Sequence, residues 1–538
     1  MTPEAFDCDF LIIGSGFGGS VSALRLAEKG YKVIVVERGK RWPGGKFPKT
    51  NWNVFRSMWA PSLGCTGIMT MSLLDDVFVL SGSGVGGGSL VYANTLLVPP
   101  SPFYRDPQWA DMADWQTVLQ PHYRMARRML GAVPNPVMGP ADRVLQQVAD
   151  EMGRGDKVHA TDVGVYFGQP GVTVADPYFE GKGPARTGCI QCGACMTGCK
   201  HGAKNTLDKN YLYLAEQLGV TVVAEQQAVV IRCIGGAEQK GEQGYEVQLR
   251  PSVNRLARLF GTTQNLRARN VVCAAGVLGT LPLLMRSRQS GDLAHLPETL
   301  GQKLRTNSEA IVGAMAGKGD VDYSKGVAIT SGAHFDDHTH IEVVRYGKGH
   351  DALSLLATLL TDGGGKIPRA IRWFWTCLTH PLQFLRSLWP FGWAQSGIIL
   401  LVMQTLDNSL TAKWKRSRWL PWTMALRTER PAGQPPNPTY IPIGNEVARR
   451  VAQKIQGIPM SSINEVVLDI PTTAHILGGC AIGPPGKGVI DGGNRVYGYR
   501  GLYVCDGSMM PANLGVNPSL TITALTEHAM AQVPSKML

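Results

Sequence analysis

Phe10-Leu11-Ile12-Ile13-Gly14-Ser15-Gly16-Phe17-Gly18-Gly19 is the stretch whose reading decides the fold. Its apolar run is short and breaks directly into glycines, which marks a buried strand entering a tight turn. Val21–Lys29 then sets Val21, Leu24 and Ala27 on one helical face, Gly30 closes the helix, and Lys32–Val36 reads as a second strand. Strand, glycine turn, helix and strand in this order make the dinucleotide unit of a Rossmann-like α/β domain. Gly14 permits the turn, Gly16 lets backbone approach a pyrophosphate, and Gly19 allows close helix–strand packing. Phe17 and Gly18 open the helix, whose first N–H groups face the anion. Glu37 ends the second strand 18 residues after Gly19, where an acid meets ribose hydroxyls and repels a 2′-phosphate. These residues leave FAD and NAD both open.

Working outward, 538 residues with 44% hydrophobic and 17% charged side chains describe a globular chain of two or three units, without repeats. No basic, apolar leader or twin-Arg signal precedes Phe10. The longest apolar stretches, Ala352–Leu360 and Gly397–Met403, fall far short of the roughly 20 residues of a spanning helix. The expectation is a cytoplasmic protein whose eleven cysteines are thiols or metal ligands. The net charge of +12 is uneven: ten Lys/Arg against two acids, Asp407 and Glu429, lie between Lys366 and Arg430. Trp373, Trp375, Trp389, Trp393, Trp414, Trp419 and Trp422 share that stretch, a mixture that suits an anionic membrane surface. No nucleic-acid recognition motif accompanies it, and no nucleic-acid partner is expected.

A second glycine cluster, Gly82-Ser-Gly84-Val-Gly86-Gly87-Gly88-Ser89, follows an apolar strand at Val77–Leu80. Far downstream stand His475-Ile-Leu-Gly478-Gly479-Cys480, Asp506-Gly507-Ser508 and Gly515-Val-Asn517-Pro518. In this order the elements resemble the glucose–methanol–choline (GMC) oxidoreductase family, and within it the bacterial cholesterol-oxidase-like branch. Val272–Thr280 looks like the family's returning strand and turn. The resemblance runs from residue 9 to about residue 530 and is weakest at 100–185 and 350–440. It implies FAD, held by Gly14, Gly16, Phe17, Gly18, Gly19, Glu37, Gly84, Gly87, Gly88, Ser89, Asn94, Val229, Ala275, Gly276, Asp506, Gly507, Asn517 and Pro518. Several family members tether FAD to a His near the second glycine loop; residues 1–121 contain no His, so non-covalent FAD is expected.

Alcohol oxidation needs a group to take the hydroxyl proton, and a near-neutral His suits that role. The resemblance makes His475 that base or hydroxyl anchor and Asn517 the amide that positions the substrate oxygen. The branch usually reads His-Pro-Leu-Gly-Gly where this chain has His475-Ile-Leu-Gly-Gly, a change that keeps the imidazole. Glu342, in Thr339-His-Ile-Glu342-Val-Val, matches an acid of the branch with a base or isomerising role; an ordinary solvent-facing strand carboxylate is the plainer alternative.

Cys189, Cys192, Cys195 and Cys199 have the C-x2-C-x2-C-x3-C spacing of bacterial ferredoxins. An iron–sulfur cluster, [4Fe–4S] in the first instance, is expected there, with zinc or a metal-free thiol loop as alternatives. In ferredoxins the fourth Cys of such a run serves a second cluster, which makes Cys65 a candidate remote ligand. A cluster would send electrons to an external acceptor (ferredoxin, quinone or cytochrome) and make the enzyme a dehydrogenase. Without it, an oxygen-using oxidase regains ground.

The family organisation divides the chain into a first FAD-binding part at 1–314 with the cysteine segment at 185–205, a substrate domain at 315–464, and a second FAD-binding part at 465–538. The substrate domain is expected to be α+β with a mostly antiparallel sheet. Gly397–Thr405 and Leu410–Trp419 read as two of its strands around the turn Asp407-Asn408, with Lys413, Lys415 and Arg418 on a solvent face. The segment 351–395 has Leu353, Ile371, Trp375, Leu378, Leu382, Leu385 and Leu388 at loose helical spacing, with Arg369, Arg372 and Arg386 among them. It reads either as helices packed on the protein or as an interfacial cap through which a hydrophobic alcohol enters from the inner membrane surface. The reading is thus an FAD enzyme acting on a sterol, terpenoid or long-chain alcohol. A flavin lyase or isomerase, and a bare electron carrier, are the rivals; only the alcohol reading employs His475 and Asn517.

Overall fold

The computed structural model describes residues 6–254, 261–317, 321–418 and 422–537. Two seven-stranded sheets organise it. The first runs Thr221–Val223, Val33–Val36, Cys8–Ile13, Gln264–Cys273, Tyr245–Pro251, Gln226–Cys233, with Leu502–Val504 also paired to Gln264–Cys273. Its centre is parallel, and Tyr245–Pro251 and Gln226–Cys233 join it as an antiparallel meander. Leu11, Ile12, Val35 and Val272 are fully buried, as continuous apolar runs in a covered parallel sheet must be. Helix Phe17–Glu28 covers the sheet and Ser519–Ala531 packs on that helix, which brings the C-terminal segment beside the N-terminal turn.

That turn needs glycine for a steric reason. Gly14 has φ +102°, and a Cβ on it would lie 2.3 Å from the Ala274 carbonyl oxygen. No L side chain fits there, so the first strand can approach the 274–276 turn only through glycine.

The second sheet is antiparallel throughout and runs Ala357–Leu359, Ile458–Ser462, Ala310–Met315, Gly397–Gln404, Thr339–Val344, Ile329–His334, Val158–Ala160. Helix Pro442–Lys454 packs its Val447, Ala448 and Val451 on one face. The other face looks toward the dinucleotide turn across a cavity.

Gly397–Gln404 is a strand of this sheet, but the expected partner at Leu410–Trp419 is not. Thr411–Arg416 pairs instead with Met424–Glu429 in a separate two-stranded sheet. The departure begins where Arg305 bonds Asp407 at 2.6 Å and Leu410 bridges to Leu304, drawing the chain away from the sheet. Trp419 lies outside the described residues. Lys413 and Lys415 are half exposed and both meet Glu429, while Arg418 is more exposed still.

Within 351–395 the chain forms helices Arg369–Thr379 and Pro381–Ser387. Their amphipathicity is inverted with respect to the core. Ile371, Phe374, Trp375, Leu378, Leu382, Leu385, Leu388, Trp389 and Phe391 face solvent, Leu382 at 80% exposure. Trp373, Cys377 and Phe384 face inward; the Trp373 indole donates to Thr358 Oγ1 at 2.8 Å. Among the described residues no helix is long and apolar enough to cross a membrane.

Candidate active site

A cavity of about 450 Å³ lies between the two sheets, lined at one end by Gly14–Gly18, Glu37, Gly87, Gly88, Ala275 and Gly276. The other end is apolar, with Ile399, Leu401, Tyr346, Trp393 and Met460. Glu37 is buried and satisfied: Oε2 accepts from Ser15 N–H at 3.1 Å and Ser15 Oγ at 2.8 Å, and Oε1 from Gly39 N–H at 2.8 Å. It therefore stitches the turn to the end of the second strand. At Gly16 and Gly88, as at Gly276, a Cβ would meet no protein atom within 4 Å. The chain has no packing reason to exclude side chains there, whereas a dinucleotide crossing this open space does. The cradle thus fits FAD.

Asp506, Gly507, Asn517 and Pro518 line the same cavity. Asp506 accepts from Gly276 N–H at 2.9 Å and from Thr280 Oγ1, and its other oxygen accepts from Ser508 N–H at 2.8 Å. Burial pushes its carboxyl up, against those donors. Of the other residues expected around FAD, Gly19, Gly84, Ser89, Asn94 and Val229 stand behind the cavity wall. Gly19 packs on Gly14, and Ser89 Oγ holds Gly86 O and Leu207 N–H. Asn94 is fully buried in the left-handed region at φ 73°. Gln226–Ala228 line the wall in place of Val229, whose carbonyl accepts from Arg286; the strand is bulged at this point.

His475 enters the cavity from the end of the short strand Thr472–Thr473, which runs parallel to Phe78–Gly82. Its Nδ1 is bonded to Glu309 Oε1. Glu309 is fully buried, accepts Ala474 N–H at 2.8 Å, and is met by Asn307 Nδ2 at 3.3 Å. Burial alone would push the His475 imidazolium down; the Glu309 carboxylate more than offsets this and holds the histidine above its ordinary range. Asn307 and Ser308 sit at φ 59° and 46°, a strained pair of non-glycine residues. The strain is held because Asn307 Oδ1 accepts from Leu514 and Gly515 N–H, and its Nδ2 donates to Val516 O. One side chain thus ties the Glu309 segment to the loop that carries Asn517.

Asn517 donates through Nδ2 to Glu342 Oε2 at 3.2 Å, and its Oδ1 has no protein partner although it is buried at the cavity wall. Glu342 is a fully buried carboxyl on Thr339–Val344, not a solvent-facing one. Burial, with help from Glu309, pushes it up to about 7 against the Asn517 bond and His475. The geometry couples the two groups. An ionised Glu342 accepts from Nδ2 and leaves the amide oxygen facing the cavity; a protonated one can donate to that oxygen and turn the amide nitrogen inward. The structure therefore brings His475, Asn517 and Glu342 to one place. It adds Glu309 and Asn307, for which the only sequence signal was an acid directly before the apolar run Ala310–Met315.

The cysteine segment lies apart from this centre. Cys189, Cys192, Cys195 and Cys199 line one cavity of about 20 Å³ together with His201 and Lys204. Among the described residues no group of three or more His, Cys, Asp or Glu side chains is arranged to hold a metal ion, so the expected iron–sulfur cluster finds no support. Burial pushes the thiols of Cys189 and Cys195 up, to about 12 and about 11. Cys65 does not line this cavity; it is buried in a two-residue strand paired with Trp59–Ala60. Lys204 Nζ donates to the carbonyls of Leu90, Tyr92 and Cys195, which gives the segment a plain structural task of bracing the second glycine loop.

Comparison with known proteins agrees with this geometry. Residues 184–307 and 438–526 match the family models described as GMC oxidoreductase, and residues 12–54 match an NAD(P)-binding Rossmann-like domain. A cholesterol oxidase of Mycobacterium tuberculosis (strain ATCC 25618 / H37Rv) is 50% identical over 544 residues, covering 98% of this chain and 92% of that protein. A cholesterol oxidase of Acinetobacter baumannii is 46% identical, covering 100% and 96%. Among solved structures, pyridoxine 4-oxidase from Mesorbium loti superposes with a TM-score of 0.61 at 14% identity over 98% of this chain and 99% of that one, a likeness of fold. The chain belongs to the GMC oxidoreductase family, as an FAD-dependent enzyme acting on CH–OH groups.

Proposed function

We propose that this protein is an oxygen-using oxidase of a bulky hydrophobic alcohol, a sterol in the first instance, converting CH–OH to carbonyl and dioxygen to hydrogen peroxide. The observation that carries the reading is the convergence of the Glu309-held His475 and the free Oδ1 of Asn517 on one end of an otherwise apolar cavity. The names of the relatives at 46% and 50% identity point the same way.

Gly14–Gly19, Glu37, the second glycine loop, Ala275–Gly276, Asp506–Gly507 and Pro518 would hold FAD non-covalently. Bound FAD supplies the hydride acceptor. The chain's own residues handle the hydroxyl. Asn517 Oδ1 orients its O–H, and the ring edge of His475 left free by Glu309 takes its proton as the hydride leaves carbon. Glu309 compensates the charge that His475 gains. Apolar walls exclude water and favour a hydrocarbon skeleton over a sugar. The outward apolar face of Arg369–Thr379 and Pro381–Ser387, with Lys366 and Arg386 and no acid from 363 to 406, supports peripheral docking on an anionic lipid surface. The core beneath it is continuous with Leu353, Ala357 and Trp393 of the cavity wall, so a lipid-dissolved alcohol would have a short apolar path inward.

Electron transfer to an external acceptor is the second reading. It draws on the cavity shared by the four cysteines, and the small volume and the lack of a metal-holding group among the described residues weigh against it. The deciding assay is peroxide release with cholesterol in detergent micelles against long-chain alcohols. Reduction of artificial one-electron acceptors without peroxide would replace the oxidase reading with the dehydrogenase one.

A further inference from the structure

His340 is a fully buried imidazole with neither ring nitrogen bonded to protein. Its Nδ1 lies 3.9 Å from Glu342 Oε1, the carboxyl oxygen that Asn517 leaves unpaired. On its other side stand two more imidazoles. His334 stacks on His340 with ring centres 4.6 Å apart, and His159 lies nearly parallel to it at 5.3 Å. His159 and His334 are half-buried and reach solvent, and His159 Nδ1 meets the Lys157 carbonyl at 3.1 Å.

Strand register produces this row. Gly332 pairs with Glu342 on one side and His159 on the other, while His334 pairs with His340. A Cβ on Gly332 would stand 2.5 Å from His340 Nε2 and 3.4 Å from Glu342 Cγ. The missing side chain is therefore what lets an imidazole lie between the buried carboxyl and the outer histidine. An apolar residue at 340 would fill the sheet without leaving polar atoms unmet, so packing gives no account of the histidine. Once a hydrophobic alcohol fills the cavity, its apolar walls offer no water to carry a proton away. Glu342 touches that cavity only through Asn517 and faces the histidine row on its other side.

We propose that Glu342, His340 and the pair His334/His159 form a proton path between the alcohol site and solvent. In the outward direction the Glu342 Oε1–H bond breaks as a bond forms at His340 Nδ1. His340 releases the proton on Nε2 through one water at the ring edges to a nitrogen of His159 or His334, since the stacked rings are not hydrogen-bonded to each other, and that imidazolium gives it to bulk solvent. The proton that Glu342 loses is the one that solvent gains, no electron moves, and Glu342 is left ionised to accept from Asn517 Nδ2. The reverse sequence returns a proton when the oxidant is reduced. Lys157 and Asp336 at the outer end, and Glu309 and His475 at the inner end, are the charged groups that face the row.

The inference rests on Glu342 belonging to the alcohol site, and the test needs no alcohol. Infrared spectra of the FAD-loaded protein are taken at about pH 6, where a carboxyl that titrates near neutrality is protonated. The C=O band lost in Glu342→Gln is followed after rapid mixing into D2O. The wild-type band shifts rapidly; His340→Phe, which keeps a ring in the stack, slows the shift at least about ten-fold. The outer, half-buried pair His159→Asn/His334→Asn leaves His340 itself in place and slows it as well, which covers a poorly folding His340→Phe. Equal exchange in the wild type and these variants overturns the path, and so does the lack of any Glu342 band. Peroxide release separately decides the oxidase reading.

Discussion

Glu309 Oε1 is bonded to Nδ1 of His475, 166 residues away in sequence, and so fixes which edge of that imidazole faces the cavity. The carboxylate holds the histidine above its ordinary range, against burial. A base works only when deprotonated, so activity falls as pH drops through its pKa. Glu309→Gln removes the charge that raises that pKa. The acid limb of kcat/KM is expected to move to lower pH, and kcat to drop about a hundred-fold or more. An unmoved acid limb would show that Glu309 only shapes the loop.

Glu342 titrates at about 7, between a form that accepts from Asn517 and one that can donate to it. Wild-type kcat is expected to carry an inflection in this range, because the amide presents a different atom to the substrate on either side of it. Glu342→Gln abolishes the inflection and lowers kcat several-fold, by about 1 kcal/mol of barrier. A variant with full activity and the same inflection removes Glu342 from the reaction.

The four clustered cysteines separate the oxidase from the dehydrogenase. With a cavity of about 20 Å³ and no metal-holding group among the described residues, anaerobically purified protein is expected to show a flavin spectrum with less than stoichiometric iron and sulfide. Mild thiol titration should modify the exposed Cys192 first and the buried Cys195 last. About four irons per chain with matching acid-labile sulfide would restore the cluster.

Leu382 is 80% exposed in the middle of an apolar helical face. Leu382→Asp places a charge where lipid contact is proposed and touches no core residue. Sedimentation with anionic vesicles is expected to fall several-fold, while turnover of a short water-soluble alcohol stays unchanged. Equal sedimentation of both proteins would count against the docking face.

What could be read from the chain, and what could not, follows from how far each feature reaches. Phe10–Gly19 through Glu37 was legible because a glycine turn, a helix and two strands are adjacent in sequence and carry their own periodicity. His475 and Asn517 came through the family resemblance of the short motifs that carry them, not from those motifs read alone. Glu309 and His340 stayed hidden because their meaning lies in pairing. Glu309 gains its role from a strand end over a hundred residues away, and His340 from the glycine opposite Glu342 on the neighbouring strand. The strand at Thr411–Arg416 was visible as a strand, yet its partner was set by Arg305–Asp407 and Leu304–Leu410, contacts that its own alternation does not encode.

Gly16 and Gly14 give a test of whether the cradle holds a dinucleotide, since the same substitution has a different cost at each. Gly14→Ala would drive a methyl group to 2.3 Å from the Ala274 carbonyl at φ +102°, so the protein itself should be destabilised, by about 2–4 kcal/mol, whether or not cofactor is bound. Gly16 has an ordinary φ of −71° and open space beyond its Cα. Gly16→Val should therefore leave the melting temperature of cofactor-stripped protein within a few degrees of wild type, a difference of about 0.5–1 kcal/mol. Its branched side chain would stand where the pyrophosphate must pass, so the purified variant should carry little FAD and gain no thermal stability when FAD is added, whereas the stripped wild type regains it. If Gly16→Val retains a full complement of FAD, the pyrophosphate does not cross this turn and the role of the open glycine would have to be reassigned.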